Sequence, residues 1–444
     1  MATARNLPRL LLLASFLGLV YAALVSGSPP QPDGREEPDG RAERLLPTNR
    51  PTVEAAFPRE SYAPGNVARL VFWTRGAQVS LQVFRAGTED TPVRPQDAML
   101  GTAVTSARLI GTVSPGRAIQ IRIGEWPSGL YFAKLLARGG KVGYAPFVLR
   151  PRALGENHVA VVLSTMTWQA YNFHDDDGNG TLDTWYAGQP HARLGRPYEN
   201  RGVIPHYKHY EEPFLRWLIS TGRKVDYLAD ADLDASSTTG RGLAAAYDLI
   251  VFPGHHEYVT LHEFDVVTGF RNRGGSLMFL SANNFFYRTV KRGNVMTRTG
   301  RWRLAGRPES ALIGVQYFGN NAGQHQAPWT VRSTPAGQWI FAGTNLHPGS
   351  RFARGGIEAD ETTSSSPRGT QVIAAIPNIF GDGHNAEMSY YELPNGAKVF
   401  AAGAFTLAGR VWMPGVAQML ENLWTRLADE EATPGPIGNV APPG

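Results

Sequence analysis

The chain contains no cysteine. That absence excludes structural disulfides, iron–sulfur clusters, thiolate zinc sites and every cysteine nucleophile. It leaves the compartment open, because an exported protein need not carry disulfides. Other signatures are missing as well. There is no Gly-x-Gly-x-x-Gly and no P-loop, which removes the usual cradles for nucleotide phosphates. There is no long basic run and no basic–aromatic interleaving. The net charge of +5 therefore describes a diffuse surface and not a nucleic-acid footprint. Ser281 lies outside any Gly-x-Ser-x-Gly elbow, so a serine hydrolase is not expected. His256-Glu257 and His262-Glu263 each open a His-Glu-x-x-His pattern, but Thr260 and Val266 stand where the second histidine belongs.

What is present is enough for two folded units. A chain of 444 residues with 42% hydrophobic content exceeds one ordinary core. Arg5 and Arg9 precede an apolar run from Leu10 to Val25, with small residues in Val20-Tyr21-Ala22-Ala23. This reads as a Sec-type signal peptide over residues 1–25, cleaved near Ala22 or Ala23, with an uncleaved membrane anchor as the alternative. The protein is expected to be exported, periplasmic or extracellular. Residues 26–52, rich in Pro, Gly and charge, predict a disordered linker, and residues 431–444 a disordered tail.

Residues 53–151 predict an N-terminal Ig-like β-sandwich. Strand alternation is visible in residues 68–73, 79–84, 119–123, 130–135 and 146–149, with Pro64-Gly65, Pro115-Gly116 and Gly139-Gly140 between runs. From His158 the rhythm changes. Val159 to Leu163 is a continuous apolar run suited to a buried parallel strand. Glu211 to Ser220 carries Phe214, Trp217 and Leu218 at helical spacing, and Val225 to Leu228 and Tyr247 to Phe252 are further strands. Thr260 with Glu263 predicts a capping box and a helix that stops at Gly274-Gly275. Strands follow at Ser276 to Leu280, Gln338 to Phe341, Gln371 to Ile376 and Lys398 to Ala402, and a closing helix at Gly415 to Leu427. The fold class is thus α/β, with residues 152–430 forming a layered, glutamine-amidotransferase-like domain.

In open α/β sheets the ligand crevice lies at the carboxyl ends of the strands. Three loops there hold candidate chemistry. After Phe252, His255 and Glu257 stand at i and i+2 and project to one side in extended backbone, where they can bind a metal or act as a base with its partner. Polar loop residues that merely satisfy the backbone explain the same pattern equally well. After Leu163 comes Thr167-Trp168-Gln169-Ala170-Tyr171-Asn172, followed by an acidic stretch. There Asp175, Asp177, Asn179 and Asp183 occupy oxygen-ligand positions of a calcium loop, with Gly180 at the turn, although Tyr186 replaces the closing glutamate. A solvated acidic turn is the competing reading. After Leu280 lies Ser281-Ala282-Asn283-Asn284.

Taken together, Trp168-Gln169-Ala170-Tyr171-Asn172, Gly254-His255-His256-Glu257-Tyr258 and Gly274-Gly275-Ser276 running into Asn283 resemble the large, catalytic subunit of N,N-dimethylformamidase and proteins sharing its C-terminal domain. Trp126-Pro127-Ser128-Gly129-Leu130-Tyr131 and Ala145 to Pro151 add to the likeness, which spans roughly Val53 to Thr425. The resemblance implies a mononuclear iron held by Tyr171, His255 and Glu257, hydrolysing a small amide. Phenolate and carboxylate are hard donors suited to ferric iron; zinc is the alternative ion. Asn283 matches a pocket amide that would bind the substrate carbonyl or oxyanion, and Glu358 would serve as acid or base. The acidic loop after Asn172 departs from the family, where a shorter glycine-rich stretch stands.

The expected partner is therefore a small amide-like molecule, with the membrane touched only through the N-terminal segment and assembly into a homo-oligomer left open. The competing expectation is a non-catalytic periplasmic or surface protein that binds carbohydrate or protein. Ten tryptophans and the segment Gly319-Asn320-Asn321-Ala322-Gly323 would suit carbohydrate contact.

Overall fold

The computed structural model describes residue 50, residues 52–321 and residues 325–429. The expected export segment, most of the linker, the tail and part of the 319–323 segment lie outside these residues. Among the described residues no helix is long and apolar enough to cross a membrane.

Alternating apolar residues give the N-terminal part its sheets. Three strands (Ala55–Ala56, Val67–Phe72 and Ala118–Arg122) form one sheet, and six centred on Gly76–Arg85, Gly129–Ala137 and Lys141–Leu149 form another. Leu70 and Phe72 from the first meet Leu81, Val83, Tyr131, Ala133, Phe147 and Leu149 from the second in one core. The strand Gly129–Ala137 is buried on both faces over Gly129 to Ala133, before Leu136 turns to solvent. Tyr131, Ala133 and Leu135 point into that core, whereas Leu130 and Phe132 join a cluster with Phe214, Trp217 and Tyr227 of the following α/β part. Period-two alternation with both faces apolar is what a strand between two packed layers requires. Ser128 reinforces the junction, its hydroxyl accepting from Tyr227 N at 2.8 Å and donating to Leu149 O at 2.8 Å.

The α/β part is built on five parallel strands: β1 (Val159–Leu163), β2 (Asp226–Ala229), β3 (Leu249–Phe252), β4 (Ser276–Phe279) and β5 (Lys398–Ala401). Their spatial order is β2-β1-β3-β4-β5, and every neighbouring pair is parallel. All residues of β1, β3 and β4 are buried, which explains the apolar runs of β1 and β3 and of Leu277 to Phe279 in β4. Beyond β5 the sheet continues in antiparallel strands Ala386–Glu392, Gln371–Ile376, Gln326–Val331, Arg351–Glu361 and Gln316–Asn320. The whole is a mixed fold with many strands and few long helices. Val416–Leu427 closes it, burying Met419, Leu423, Trp424 and Leu427 at helical spacing.

Three sequence expectations need correction. Residues 338–341 are not a strand, because Pro335–Ile340 is a short helix whose Thr334 hydroxyl accepts from Gly337 N at 3.0 Å. A threonine cap followed by proline at the first helical position outweighs the brief apolar run. The helix opened by Thr260 spans Leu261–Arg271, so it ends before Gly274-Gly275. Its capping box is half formed: Thr260 Oγ1 accepts from Glu263 N at 3.2 Å, but both carboxylate oxygens of Glu263 find no well-formed hydrogen bond there.

Candidate functional site

With the order β2-β1-β3, the chain leaves β1 and β3 toward opposite sides, and a crevice opens where the two directions part. The residues following β1, β3 and β4 line it. From β1 the chain enters the helix Thr165–Ala170, which ends at Tyr171, whose N–H donates to Thr167 O at 3.0 Å. From β3 it turns at Pro253-Gly254, where a Cβ on Gly254 would stand 2.7 Å from Glu211 Oε1. The Thr167 hydroxyl accepts from Glu257 N at 3.1 Å and Tyr258 N at 3.3 Å, fastening the two connections together. After β4, Asn283 and Phe285 adopt φ of +53° and +59°. Such backbone costs on the order of 1–3 kcal/mol per residue and persists only where neighbours hold it. Here Asp360 Oδ1 accepts Asn283 N at 2.8 Å and His256 O accepts Phe285 N at 2.6 Å.

Glu257 is the hub of the crevice. Tyr171 Oη donates to its Oε2 at 2.7 Å, and Asn283 Nδ2 donates to its Oε1 at 3.2 Å. His255 Nε2 lies 3.6 Å from Glu257 Oε2 and 3.3 Å from Glu358 Oε2, the latter arriving from the strand Arg351–Glu361. The i, i+2 projection of His255 and Glu257 to one side is thus present. The structure brings together all five residues, and Phe405 closes the wall with its ring 4.7 Å from that of His255. His255, Glu257, Asn283 and Glu358 are buried and Tyr171 is partly so.

Burial sets the protonation. The Tyr171 phenol is pushed well above its ordinary value by burial and by the neighbouring Glu257 carboxylate. Burial, then His256 and His206, pull His255 well below its ordinary value. Desolvation leads that shift, and the imidazole is neutral. A neutral imidazole keeps a lone pair for a metal, and His255 Nε2 has no hydrogen-bond partner, nor has Asn283 Oδ1. A cation would invert the local preference and favour phenolate and carboxylate. Tyrosine, histidine and glutamate with orphaned buried atoms beside them fit a hard or borderline metal ion.

In the acidic loop Asp175, Asp177 and Asp183 come within mutual reach of one ion. Their oxygens are, however, already turned on their own loop. Asp175 accepts Gly178 N and Gly180 N, each at 2.8 Å; Asp177 accepts Asn179 N at 3.1 Å; Asp183 accepts Asp176 N at 2.7 Å. Asn179 Oδ1 accepts Thr181 N at 2.7 Å. Tyr186 instead shares a hydrogen bond with Tyr258 on the floor of the crevice. Sequence reasoning missed Asp360, which holds Asn283, and Phe405. Asp360 sits two residues from Glu358 on the same strand, so the i, i+2 rule used at His255 would have found it.

Fold and site together define a β-rich α/β protein with a phenol–imidazole–carboxylate cluster buried at the switch point of its sheet. Residues 117–412 match the family described as "N,N-dimethylformamidase beta subunit-like, C-terminal". The chain belongs to that family. No curated protein matches it. Solved structures share short stretches. A cycloisomaltooligosaccharide glucanotransferase from Paenibacillus sp. is 14% identical over 30% of this chain and 17% of its own, with TM-score 0.16. Superoxide reductase (neelaredoxin) from Ignicoccus hospitalis is 14% identical over 27% of this chain and 93% of its own, with TM-score 0.15. The sporulation control protein Spo0M from Bacillus subtilis is 13% identical over 23% and 49%, with TM-score 0.16. At such scores none bears on the fold or the site.

Proposed function

We propose that the protein is an exported, metal-dependent hydrolase of an amide-type C–N bond, with a mononuclear ion, iron in preference to zinc, held by Tyr171, His255 and Glu257. The finer architecture we propose is an Ig-like sandwich followed by a glutamine-amidotransferase-like domain. The observation that carries the functional reading is the convergence of Tyr171, His255 and Asn283 on Glu257 at the switch point, with Glu358 set against His255. Family membership supports the reaction class. An ion held there supplies Lewis acidity to the amide carbonyl and acidifies a water.

The chain's own residues do the rest. Asn283 Nδ2 is a donor for the carbonyl oxygen as it gains negative charge. Glu358, 3.3 Å from His255 Nε2, accepts a proton from the attacking water and returns it to the departing amine nitrogen. Water adds to the carbonyl carbon, the C–N bond breaks, and a carboxylate and a protonated amine leave. Phe405 and the Tyr171 ring keep bulk water from the buried donors.

The test is a panel of small N-alkyl amides incubated with the iron-loaded full chain, with amine release followed by mass spectrometry. The reading expects turnover that falls on the order of 10²–10³-fold in Asn283→Ala. Oligosaccharide binding without amide turnover, unchanged in His255→Ala, would instead favour a non-catalytic binding protein.

A further inference from the structure

Successive residues of the loop after β3 face opposite ways. His255 and Glu257 enter the crevice; His256 enters the layer behind it, with 1% exposure and its ring edge-on to Phe252 at 4.8 Å. There it meets two acids from neighbouring connections. Asp230 begins the short helix Asp230–Leu233 directly after β2, and its Oδ1 lies 3.1 Å from His256 Nε2. Glu263 sits in the first turn of Leu261–Arg271. Asp230 and Glu263 are both 0% exposed, and the ligand atoms of the three residues all lie within 4.8 Å of one another.

The three side chains are held but not satisfied. Asp230 Oδ2 accepts Met166 N at 2.6 Å and the Thr165 hydroxyl at 3.2 Å, which aims Oδ1 at the histidine. Asp230 Oδ1, both ring nitrogens of His256 and both oxygens of Glu263 face one another and find no well-formed hydrogen bond outside the trio. The nearby ammonium of Lys291 is taken by Asp234 at 2.8 Å. Two fully buried carboxyls facing each other without donors are unfavourable unless a proton or a cation lies between them. Metal–ligand bonds of roughly 2.0–2.2 Å place ligand atoms about 3.0–3.5 Å apart, and the His256–Asp230 separation is one such edge. One imidazole and two carboxylates suit zinc or manganese and not a soft ion.

We infer that Asp230, His256 and Glu263 form a second, closed site for a divalent ion of the zinc or manganese class. The site is structural. It pins the connections after β2 and β3 and the start of the next helix to one point, and so fixes from behind the peptide that presents His255 and Glu257. It does not rest on occupation of the crevice.

The experiment uses the full chain carrying Tyr171→Phe and Glu257→Gln, which removes the crevice donors. After chelator treatment and reloading with zinc or manganese, elemental analysis is expected to find about one ion per chain. Addition of Glu263→Gln or His256→Gln abolishes it, together with the metal-dependent rise in melting temperature. Metal content unchanged by Glu263→Gln, or no binding and no thermal response to either ion, overturns the inference and leaves a shared proton between Asp230 and Glu263. Should these variants not fold, anomalous scattering from zinc-soaked crystals of the unsubstituted chain is expected to peak among the three side chains; no peak there overturns it equally.

Discussion

His174 makes stability fall as pH rises, by an amount the structure bounds. It is the third residue after Tyr171, and its side chain is 9% exposed. Nδ1 lies 2.9 Å from Asp176 Oδ1 and Nε2 3.6 Å from Glu54 Oε2, so the imidazole bridges the start of the sandwich and the acidic loop. Burial lowers its pKa, but hydrogen bonds to Asp176 and Glu54 and their charges outweigh it, raising the value from 6.5 to about 9. The folded state therefore binds the proton more tightly than the unfolded chain. This contribution is complete below pH 6.5 and is lost as pH rises through about 9. At about 1.4 kcal/mol for each pH unit separating the two values, the ceiling is about 3 kcal/mol. Urea unfolding at intervals from pH 6 to pH 10, for the unsubstituted chain and His174→Gln, isolates the term. The difference in unfolding free energy should shrink across that window. Two curves that stay parallel from pH 6 to pH 10 would refute the reasoning.

Three further outcomes are expected. Trp217→Ala removes a ring packed on Phe214 and Trp424 beneath the Arg223 guanidinium, and should cost about 3–5 kcal/mol in chemical denaturation. Thr334→Ala deletes the cap of Pro335–Ile340 and should cost about 1 kcal/mol, whereas a strand at this position would show no such loss. Asp360→Ala releases the N–H of Asn283 and should lower kcat at least about tenfold with metal content unchanged, the loss of about one hydrogen bond's worth of positioning.

Most of the parallel sheet was legible because its strands are buried on both faces, and Val159–Leu163 and Ser276–Leu280 advertise this as apolar runs beside turn residues. The division of the His255-His256-Glu257 loop into two faces was legible for an equally local reason, the period of two in extended backbone. What stayed hidden depends on tertiary placement. Asp230 carries no local signal and Glu263, three residues after Thr260, reads as part of a capping box; only the packed structure brings their buried carboxyls together. Glu358 reaches His255 from an antiparallel strand far along the chain, a meeting that no local pattern encodes. At residues 338–341 a short apolar run does not separate strand from helix, and the Thr334-Pro335 pair is the stronger signal.

The central claim, that Tyr171, His255 and Glu257 hold an iron ion, is tested most directly by the metal content and visible spectrum of the purified full chain beside Tyr171→Phe. The account predicts about one iron bound through Tyr171, and a phenolate-to-iron absorption band that disappears in the variant. A visible spectrum identical in the two proteins, or iron content unaffected by Glu257→Gln, would contradict it.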